Sequence, residues 1–253
     1  PRYGFGKNMN PCIDCHSLMF REAGLLMEEL KGDFLISGEV LSQRPMSQKM
    51  NSLKAVSKHS GYRDYIIRPL SQKLLPDTKP IIDGIVKKEE MLDIQGRSRR
   101  RQIELAAELG ITDYPESGGG CKLTEIGFSL RLKDLKDHQL LNEQHIETLY
   151  TGRHFRLSPE VKLIIGRNEE EDKTLFQTIP NSIIIRAANC LGPIGFIHPP
   201  NNISEDTITL AANIVLSYTN KAPERDLVEY GKNYTPFQQI GATKLKREEL
   251  DQL

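Results

Sequence analysis

Apolar and polar positions in the first half of the chain show helix-like and strand-like spacing by turns. Over residues 15–30 apolar side chains recur every three or four positions, which predicts an amphipathic helix. Its buried side is expected at Met19, Ala23, Leu26, Met27 and Leu30. Short apolar runs at 33–37 and 65–67 predict buried strands, and helices are predicted over 47–58 and 124–138. Because strands alternate with helices, this half favours an α/β fold with a parallel sheet.

The second half of the chain has a different pattern. Short, largely apolar segments at 161–165, 182–185, 194–197 and 226–230 predict strands. Ser204, followed by two acidic residues, is typical of a helix N-terminus. The buried stripe of that helix is expected at Ile208, Ala211, Ala212 and Val215. Strands around a single helix predict a small α+β module, so we expect one domain over 1–148 and a second over 149–253.

The composition is that of an ordinary globular protein and excludes some classes of function. The 253 residues contain 34 Lys and Arg against 34 Asp and Glu, so the net charge is zero. This argues against a histone-like basic coat but is compatible with a local RNA-binding face. No apolar run approaches the roughly eighteen residues of a membrane span, and the polar start lacks a signal-peptide core. We therefore expect a cytoplasmic protein.

Cys12 and Cys15 form a C-x-x-C at the predicted start of the first helix, directly after Pro11. Because a helix N-terminus carries partial positive charge and free N–H groups, we expect both thiols to have a lowered pKa and to bind metal or sulfur. Four interpretations compete with simple packing of two small residues. They are c-type haem attachment through His16, a thioredoxin-like dithiol, a zinc site completed by His16 and Cys121, and an iron–sulfur cluster held by Cys12, Cys15 and Cys121.

The setting of Cys121 favours the iron–sulfur interpretation. Cys121 follows Gly118, Gly119 and Gly120, which let the backbone approach a bulky ligand and adopt positive φ angles. A flexible loop without function is the alternative. The fourth cysteine, Cys190, follows a predicted strand and is expected to be a buried core residue.

Two groups of basic residues are candidates for RNA contact. The first lies at the start of a helix predicted over 98–109 with Ile103, Ala106 and Ala107 on its buried side, and comprises Arg97, Arg99, Arg100 and Arg101. The second comprises Arg153, His154, Arg156, Lys162 and Arg167, with Phe155 as a stacking residue. The alternative in both cases is solvated surface charge, with Glu104 and Glu108 as partners in the first group. The acidic run 169–172 is expected to lie outside any RNA face.

Several motifs, taken as a set, resemble the PP-loop ATPases that thiolate tRNA uridines. They are N-P-C-I-D-C at 10–15, S-G-E-V-L-S-Q-R-P-M-S-Q at 37–48, R-P-L-S-Q-K-L-L-P at 68–76, G-R-S-R at 96–99 and G-G-C-K-L-T at 119–124. The chain is most similar to the thiouridine synthetase-like branch, in which a PP-loop domain is joined to an NFACT-type RNA-binding domain. The second domain is represented by G-R-N at 166–168 and by the helix that ends at 211–218.

The resemblance implies a fold and a reaction. The fold is a partial PP-loop domain (adenine nucleotide alpha hydrolase-like, with a parallel sheet) over 1–148, followed by an α+β RNA-binding domain over 149–253. In the implied reaction, ATP with magnesium adenylates a uridine carbonyl oxygen, and sulfur then displaces AMP. In cluster-dependent relatives three cysteines hold a [4Fe-4S] cluster with one open iron, and by motif Cys12, Cys15 and Cys121 have that catalytic role. A cluster-free variant would use two of them as persulfide carrier and resolving thiol.

The resemblance also implies a nucleotide site and a missing segment. Ser37, Gly38 and Glu39 follow a predicted strand, where α/β sheets bind ligands, and Gln43 and Arg44 would reach the phosphates. An ordinary strand-to-helix loop is the alternative. The family's S-G-G-x-D-S loop would precede the cysteine pair, but the sequence begins almost at that pair. We therefore expect this chain to be a piece of a longer protein.

The sequence thus predicts a tRNA sulfurtransferase that carries a [4Fe-4S] cluster and uses ATP. Its expected partners are tRNA and a sulfide or persulfide donor. Two alternatives stay open. One is a non-catalytic RNA-binding protein whose cysteines hold zinc, and the other is a cluster-dependent desulfidase of thiolated nucleotides.

Overall fold

The computed structural model describes residues 1–114, 121–201, 203–232 and 237–251. The chain divides into two compact units, an N-terminal unit (Pro1–Glu125) and a C-terminal unit (Ile126–Leu253). This division lies after Glu125. From the sequence, the boundary between the PP-loop-like domain and the RNA-binding domain is expected after residue 148. Within the described ranges, no helix is both long enough and apolar enough to cross a membrane.

The N-terminal unit combines helices with a small parallel sheet. Its helices are α1 (Cys12–Glu29), α2 (Met50–Ser60), α3 (Lys79–Ile82) and α4 (Arg100–Glu108), and its strands are β1 (Leu35–Ile36) and β2 (Ile66–Ile67). Single 3-10 turns cover Arg63–Tyr65, Gln72–Leu74, Lys88–Glu90 and Lys122–Thr124. Strands β1 and β2 pair in parallel, with Leu35 opposite Ile66. The expected parallel pairing is therefore present, but over two residues in each strand, and a PP-loop sheet stays a prediction.

Of the five residues expected on the buried side of α1, only Met27 is buried. Its buried residues are Ser17, Gly24 and Met27, whereas Met19 and Leu26 are each about half exposed. The helix packs against α2, and the Tyr62 ring lies so close that a Cβ on Gly24 would be 2.1 Å from it. Gly24, which has no side chain, allows this approach, and a search for apolar periodicity does not mark a glycine as a packing residue.

The predicted buried sides of β1 and α4 are also wrong. Ile36 of β1 is 69% exposed, and no residue of α4 is buried. Ile103, expected in the core, is 49% exposed. The periodicity of α4 is that of an amphipathic helix, but within the described part of the unit nothing covers its apolar side.

The C-terminal unit contains an antiparallel sheet with helices on both faces. Its helices are α5 (Ile126–Asp137), α6 (Glu143–Thr148), α7 (Glu169–Thr178), α8 (Glu205–Ser217) and α9 (Arg247–Leu250). Its strands are β3 (Arg153–Arg156), β4 (Lys162–Ile165), β5 (Ile183–Ala187), β6 (Gly195–His198), β7 (Arg225–Lys232) and β8 (Gln238–Thr243). The strand order is β3-β4-β6-β5-β7-β8, with every neighbouring pair antiparallel. The predicted small α+β module is confirmed.

The core of this sheet explains why its strands β4, β5 and β6 have apolar residues on both faces. On one face Leu163, Ile165, Ile185 and Ile197 pack in one cluster with the buried residues of α8. On the other face Ile164, Ile184 and Phe196 pack with Leu175 and Ile179 from α7 and its end. Adjacent strand residues point to opposite faces, so a sheet that is covered on both sides has no polar face to alternate with.

Helix α8 agrees with the prediction, and α7 was missed. Ser204 caps α8 by accepting the Thr207 N–H, and the predicted stripe from Ile208 to Val215 is buried. In α7, the Asn168 side chain accepts the Glu171 N–H as N-cap. The acidic run 169–172 is thus the first helical turn, where carboxylates are stabilised by the helix dipole.

Asp134 on α5 neutralises two of the basic residues that were candidates for RNA contact. Its carboxylate accepts hydrogen bonds from Arg156 Nε at 3.0 Å and from Lys162 Nζ at 2.7 Å. The Lys162 side chain is only 7% exposed, so its ammonium depends on this partner. Partial burial raises the pKa of Asp134, but the bonds from Arg156 and Lys162 outweigh burial and lower it to about 2.

We predict that Asp134→Asn destabilises the full chain by about 2 kcal/mol at pH 7, because it leaves a buried ammonium without its counter-charge. The stabilisation by the Asp134 carboxylate is fully present above the ordinary carboxyl pKa of 3.8 and is lost as the pH falls through about 2. Urea unfolding followed by circular dichroism measures the difference. Asp137→Asn, an exposed position on the same helix, is the matched control and should change stability by less than about 0.5 kcal/mol. Equal midpoints for the two variants would contradict this account.

Candidate functional site

Two of the three predicted cysteine ligands lie in the first turn of α1. Cys12 is the first residue of the helix and Cys15 lies three residues later, so both thiols project from neighbouring parts of one helix face. Pro11 precedes the helix, and its carbonyl accepts the Cys15 N–H at 2.9 Å. Cys12 is half-buried, and Cys15 and Cys121 are exposed. All four cysteines of the chain are free thiols.

Cys121 lies close enough to Cys15 for the two thiols to influence each other. Partial burial, followed by the charges of Cys121 and Cys12, raises the pKa of the Cys15 thiol. The predicted lowering is therefore wrong for Cys15. The reason is that partial burial disfavours the charged thiolate form of Cys15, and the nearby thiols of Cys121 and Cys12 add to this effect.

A hydrogen bond from outside the cysteine motif links the Cys121 turn to the segment before α1. Asn8 Nδ2 donates to the Thr124 carbonyl at 2.8 Å. Thr124 in turn donates through its N–H and its hydroxyl to the Cys121 carbonyl, at 2.8 and 2.7 Å. Asp14, between the two cysteines, accepts the N–H groups of Arg2 and Tyr3. Sequence reasoning missed Asn8, because nothing in its local pattern marks it as a contact.

The three thiols have the chemistry of iron–sulfur cluster ligands, but their arrangement among the described residues is not that of a metal site. Thiolates are the usual protein ligands of such clusters, and three of them face one another's charge here. Among the described residues, however, no group of three or more His, Cys, Asp or Glu side chains is arranged to hold a metal ion. Gly118, Gly119 and Gly120, on which the prediction for Cys121 rests, lie outside the described residues.

The predicted nucleotide site contains a carboxylate that is already paired. Glu39 is buried and accepts hydrogen bonds from His16 Nδ1 and Arg68 Nε, both at 2.8 Å. Burial raises the pKa of Glu39, but His16 and Arg68 outweigh burial and hold it below its usual range. Ser37 Oγ accepts the Glu39 N–H, and the backbone of Ser37 bonds to Ile67. Glu39 therefore joins α1 to the end of β2.

Gln43 and Arg44 lie in the loop that follows this cluster. Gln43 Nε2 donates to Gln102 Oε1 at 2.6 Å, and the Arg44 N–H donates to Gln48 Oε1 at 3.1 Å. Gly38 has open space where a Cβ would lie. ATP binding by residues 37–44 stays a prediction.

The first group of arginines divides into paired and unpaired side chains. Arg100 pairs with Glu104 at 2.9 Å and Arg101 with Glu108 at 2.7 Å, as the solvated-face alternative expects. Arg97 is exposed and Arg99 is the half-exposed N-cap residue of α4. Neither of these two forms an ion pair with a described carboxylate.

In the second group, most members are not available as cations. Phe155 is buried in the core and cannot stack on a base, which corrects the prediction. His154 donates from Nε2 to the carbonyls of Thr151 and Thr148, and burial and then the Lys162 charge lower its pKa to about 3, so it is neutral at pH 7. Arg167 pairs with Glu171, at 2.8 Å from Nε to Oε1.

Arg153 is the member of the second group that is exposed without forming an ion pair to a described carboxylate. Its guanidinium carbon lies 5.1 Å from the centroid of the Tyr218 ring, at the end of α8. This is the distance of a cation–π contact. Phe155 packs on the same ring, with 5.7 Å between centroids, and so supports it from the core.

Arg153 and Tyr218 line a cleft of 530 Å³, called here the Arg153 cleft. Its other walls are the turn between β4 and α7, from Gly166 to Glu169, the segment 192–194 before β6, and Asp172. Glu171 supports two of these walls, because it accepts the N–H groups of Gly152 and Arg167. The acidic run expected to lie outside any RNA face thus contributes Glu169 and Asp172 to the same cleft as Arg153.

Asp172 has an unusual environment. Its Oδ1 is buried without a hydrogen-bond partner in the described part of the chain, and a Cβ on Gly166 would lie 1.9 Å from that oxygen. Partial burial, followed by the charges of Glu171 and Glu169, raises the pKa of Asp172 to about 6. At neutral pH this carboxylate is ionised, and its charge opposes folding.

We predict that Asp172→Asn stabilises the full chain by about 1 kcal/mol at pH 7.5, after discounting for solvent exposure. Because the folded-state pKa is raised, the cost of the charge appears only as the pH rises from 3.8 towards about 6, so the gain vanishes at pH 4. Thermal unfolding at the two pH values measures it. Glu170→Gln, exposed in the same helical turn, is the control and should give no gain. A loss of stability in Asp172→Asn at pH 7.5 would show that the carboxylate has a partner.

Comparison with known proteins supports one part of the sequence-based identification. No curated protein matches the chain. Among solved structures, the chain is similar to the C-terminal part of the fibronectin/fibrinogen-binding protein from Streptococcus suis, with 14% identity, a TM-score of 0.37, and 95% of this chain and 94% of that chain covered. Residues 152–253 match the family model of the NFACT protein RNA binding domain. The prediction of an NFACT-type RNA-binding domain at the C-terminal end is thereby confirmed, and the Arg153 cleft lies within it.

Proposed function

We propose that this chain transfers sulfur to a tRNA uridine, with the thiols of Cys12, Cys15 and Cys121 as its reactive centre and the C-terminal domain as an RNA-binding module. One observation carries the proposal. Partial burial and then the charges of Cys121 and Cys12 raise the pKa of Cys15, so three thiols that include one distant in sequence lie within range of one another's charge in a chain with an RNA-binding domain. Mutual repulsion of this kind is relieved when a cationic centre is held between the thiolates.

The residues around the thiols have supporting roles in this proposal. Asn8, through Thr124, keeps the Cys121 turn beside the segment that leads into α1, and Asp14 fixes the residues before Asn8 by binding Arg2 and Tyr3. Cys15 and Cys121 are exposed, so a sulfur donor and a substrate base have access to them. Free thiols persist in reducing compartments, and we place the activity in the cytoplasm.

The cofactor proposed for this centre is a [4Fe-4S] cluster, held by the three thiols as thiolates. Such a cluster supplies, when bound with three protein ligands, an iron position that is open to exogenous sulfide. Activation of the uridine by ATP with magnesium is the other half of the reaction, in which the carbonyl oxygen leaves with AMP and a carbon–sulfur bond takes its place. The paired state of Glu39 favours a positioning role for this residue over direct contact with the nucleotide.

We predict that the full chain, reconstituted anaerobically with iron and sulfide, retains about four iron and four sulfide per chain. Cys12→Ser, Cys15→Ser and Cys121→Ser should each lose most of this iron, because each removes a thiolate ligand. Cys190→Ser should retain it, since Cys190 lies half-buried against the core of the C-terminal unit. Iron and labile-sulfide assays, with the visible absorption of the cluster, measure the outcome.

Two results would replace this proposal by one of its alternatives. About one equivalent of zinc, without sulfide and dependent on the same three cysteines, would favour a non-catalytic RNA-binding protein. Retention of the cluster together with loss of sulfur from thiolated nucleotides, and without ATP-dependent thiolation, would favour a desulfidase. Equal iron in the wild type and in all four serine variants would contradict any role of the three-thiol centre.

We also predict that Arg97 contributes to RNA affinity through a phosphate contact. Arg97→Gln should weaken tRNA binding and reduce the slope of log affinity against log salt by about 1, because one counter-ion fewer is released. Arg100→Gln is the matched control on the same segment, since Glu104 already offsets the Arg100 charge at 2.9 Å. Fluorescence anisotropy with labelled tRNA across a salt series gives both slopes. If both variants keep the wild-type slope, the start of α4 does not contact RNA.

A further inference from the structure

The walls of the Arg153 cleft come from separate parts of the C-terminal unit. Arg153 begins β3, the turn from Gly166 to Glu169 joins β4 to α7, and Tyr218 ends α8. The volume of the cleft, 530 Å³, is within the usual range of ligand pockets and larger than a single nucleobase needs. All of its lining residues lie within the match to the RNA-binding domain.

Arg153 offers a flat surface for stacking. Tyr218 lies against its guanidinium, and Phe155 supports Tyr218 from the core. The Arg153 side chain is nevertheless exposed, so the face of the guanidinium that points away from Tyr218 is open. Proteins that bind single-stranded RNA stack unpaired bases on such planes.

The charges around the cleft favour a base over a phosphate group. Arg167 is neutralised by Glu171, and the carboxylates of Glu169 and Asp172 lie in the walls. A phosphodiester in the cleft would meet these carboxylates with only Arg153 as an unpaired cation among the described lining residues. A nucleobase carries no charge and is not repelled in this way.

Asp172 supplies the polar recognition that the stacking surface lacks. Asp172 lines the cleft and is only partly buried, so its carboxylate is within reach of a bound molecule. A ligand with N–H groups can donate hydrogen bonds to this carboxylate. Guanine is the standard base whose Watson–Crick edge presents two adjacent N–H donors, N1–H and the N2 amino group, to a carboxylate.

We propose that the Arg153 cleft binds one unpaired guanine of an RNA strand, stacked on the Arg153 guanidinium and with the N–H groups of its Watson–Crick edge directed at the Asp172 carboxylate. This inference rests on the RNA-binding part of the proposed function and is independent of the sulfur chemistry. It assigns base recognition to the cleft and leaves the phosphate contacts to other surfaces.

Binding of the full chain to pentanucleotide RNAs tests the proposal. The probes are U-U-G-U-U, U-U-A-U-U and U-U-C-U-U, and we expect the guanine probe to bind about tenfold more tightly than the other two. Arg153→Ala should weaken the guanine probe by about tenfold without changing its salt slope. Arg153→Lys should not restore it, because lysine keeps the charge but not the plane.

Asp172→Asn separates base recognition from stacking. Its amide presents one acceptor and one donor, so the preference for guanine should disappear while binding of the adenine probe is kept or improved. The protein should remain folded, because the substitution removes a charge that opposes folding. Equal affinity of the wild type for the three probes, or full rescue by Arg153→Lys, would overturn the proposal.

A second titration distinguishes failure of the cleft from failure of RNA binding as such. Guanosine and adenosine, which carry no phosphate, are added to the full chain and followed by nuclear magnetic resonance. If guanosine binds to the wild type but not to Arg153→Ala, and the wild type has no affinity for tRNA, the guanine site is supported and the proposed RNA function is contradicted. Tight tRNA binding that is unchanged in both Arg153→Ala and Asp172→Asn would leave the RNA function intact and refute the guanine site. Absence of binding in both titrations overturns both.

Discussion

The C-terminal unit depends on one constraint, the burial of its antiparallel sheet on both faces. Helix α8 covers the face formed by Leu163, Ile165 and Ile185, and α7 covers the face formed by Ile164 and Ile184. Burial of so many large aliphatic side chains is the main stabilising contribution, each worth about 2 kcal/mol relative to exposure. With both helices held against the sheet, the first turn of α7 and Tyr218, which directly follows α8, line one cleft.

Carboxylates decide which basic residues of this chain are available to RNA. Asp134 holds Arg156 and Lys162, Glu171 holds Arg167, and Glu104 and Glu108 hold Arg100 and Arg101. Each exposed pair contributes little to stability, whereas the Asp134 group includes a buried lysine and is part of the fold. Most of the basic residues that were candidates for RNA contact are therefore already paired with carboxylates, in keeping with a net charge of zero.

Neighbouring charges lower the pKa of one carboxyl group of this chain and help to raise the pKa of one thiol. Glu39 is stabilised by a histidine and an arginine, and its pKa falls. Cys15 is partly buried and has the thiols of Cys121 and Cys12 as neighbours, and its pKa rises. A protein that brings like charges together without a counter-charge stores repulsion at that place, and such sites are typical of ligand or cofactor binding. Asp172 is the second instance in this chain.

The sequence by itself determined the local features whose causes are local. The capping serine and buried stripe of α8 and the strands β4 to β7 were predicted from capping chemistry and periodicity, and the RNA-binding domain from its resemblance to a known family. Strands β3 and β8 were not predicted. Only the tertiary structure decided which face of α1 is buried, because the stripe of Ser17, Gly24 and Met27 depends on how closely Tyr62 approaches. It likewise decided that Phe155 belongs to the core, that Arg153 is the accessible arginine of its group, and that Asn8 reaches Thr124. Charge pairing and close packing join residues that are distant in the chain, so the local sequence around each residue does not predict these contacts.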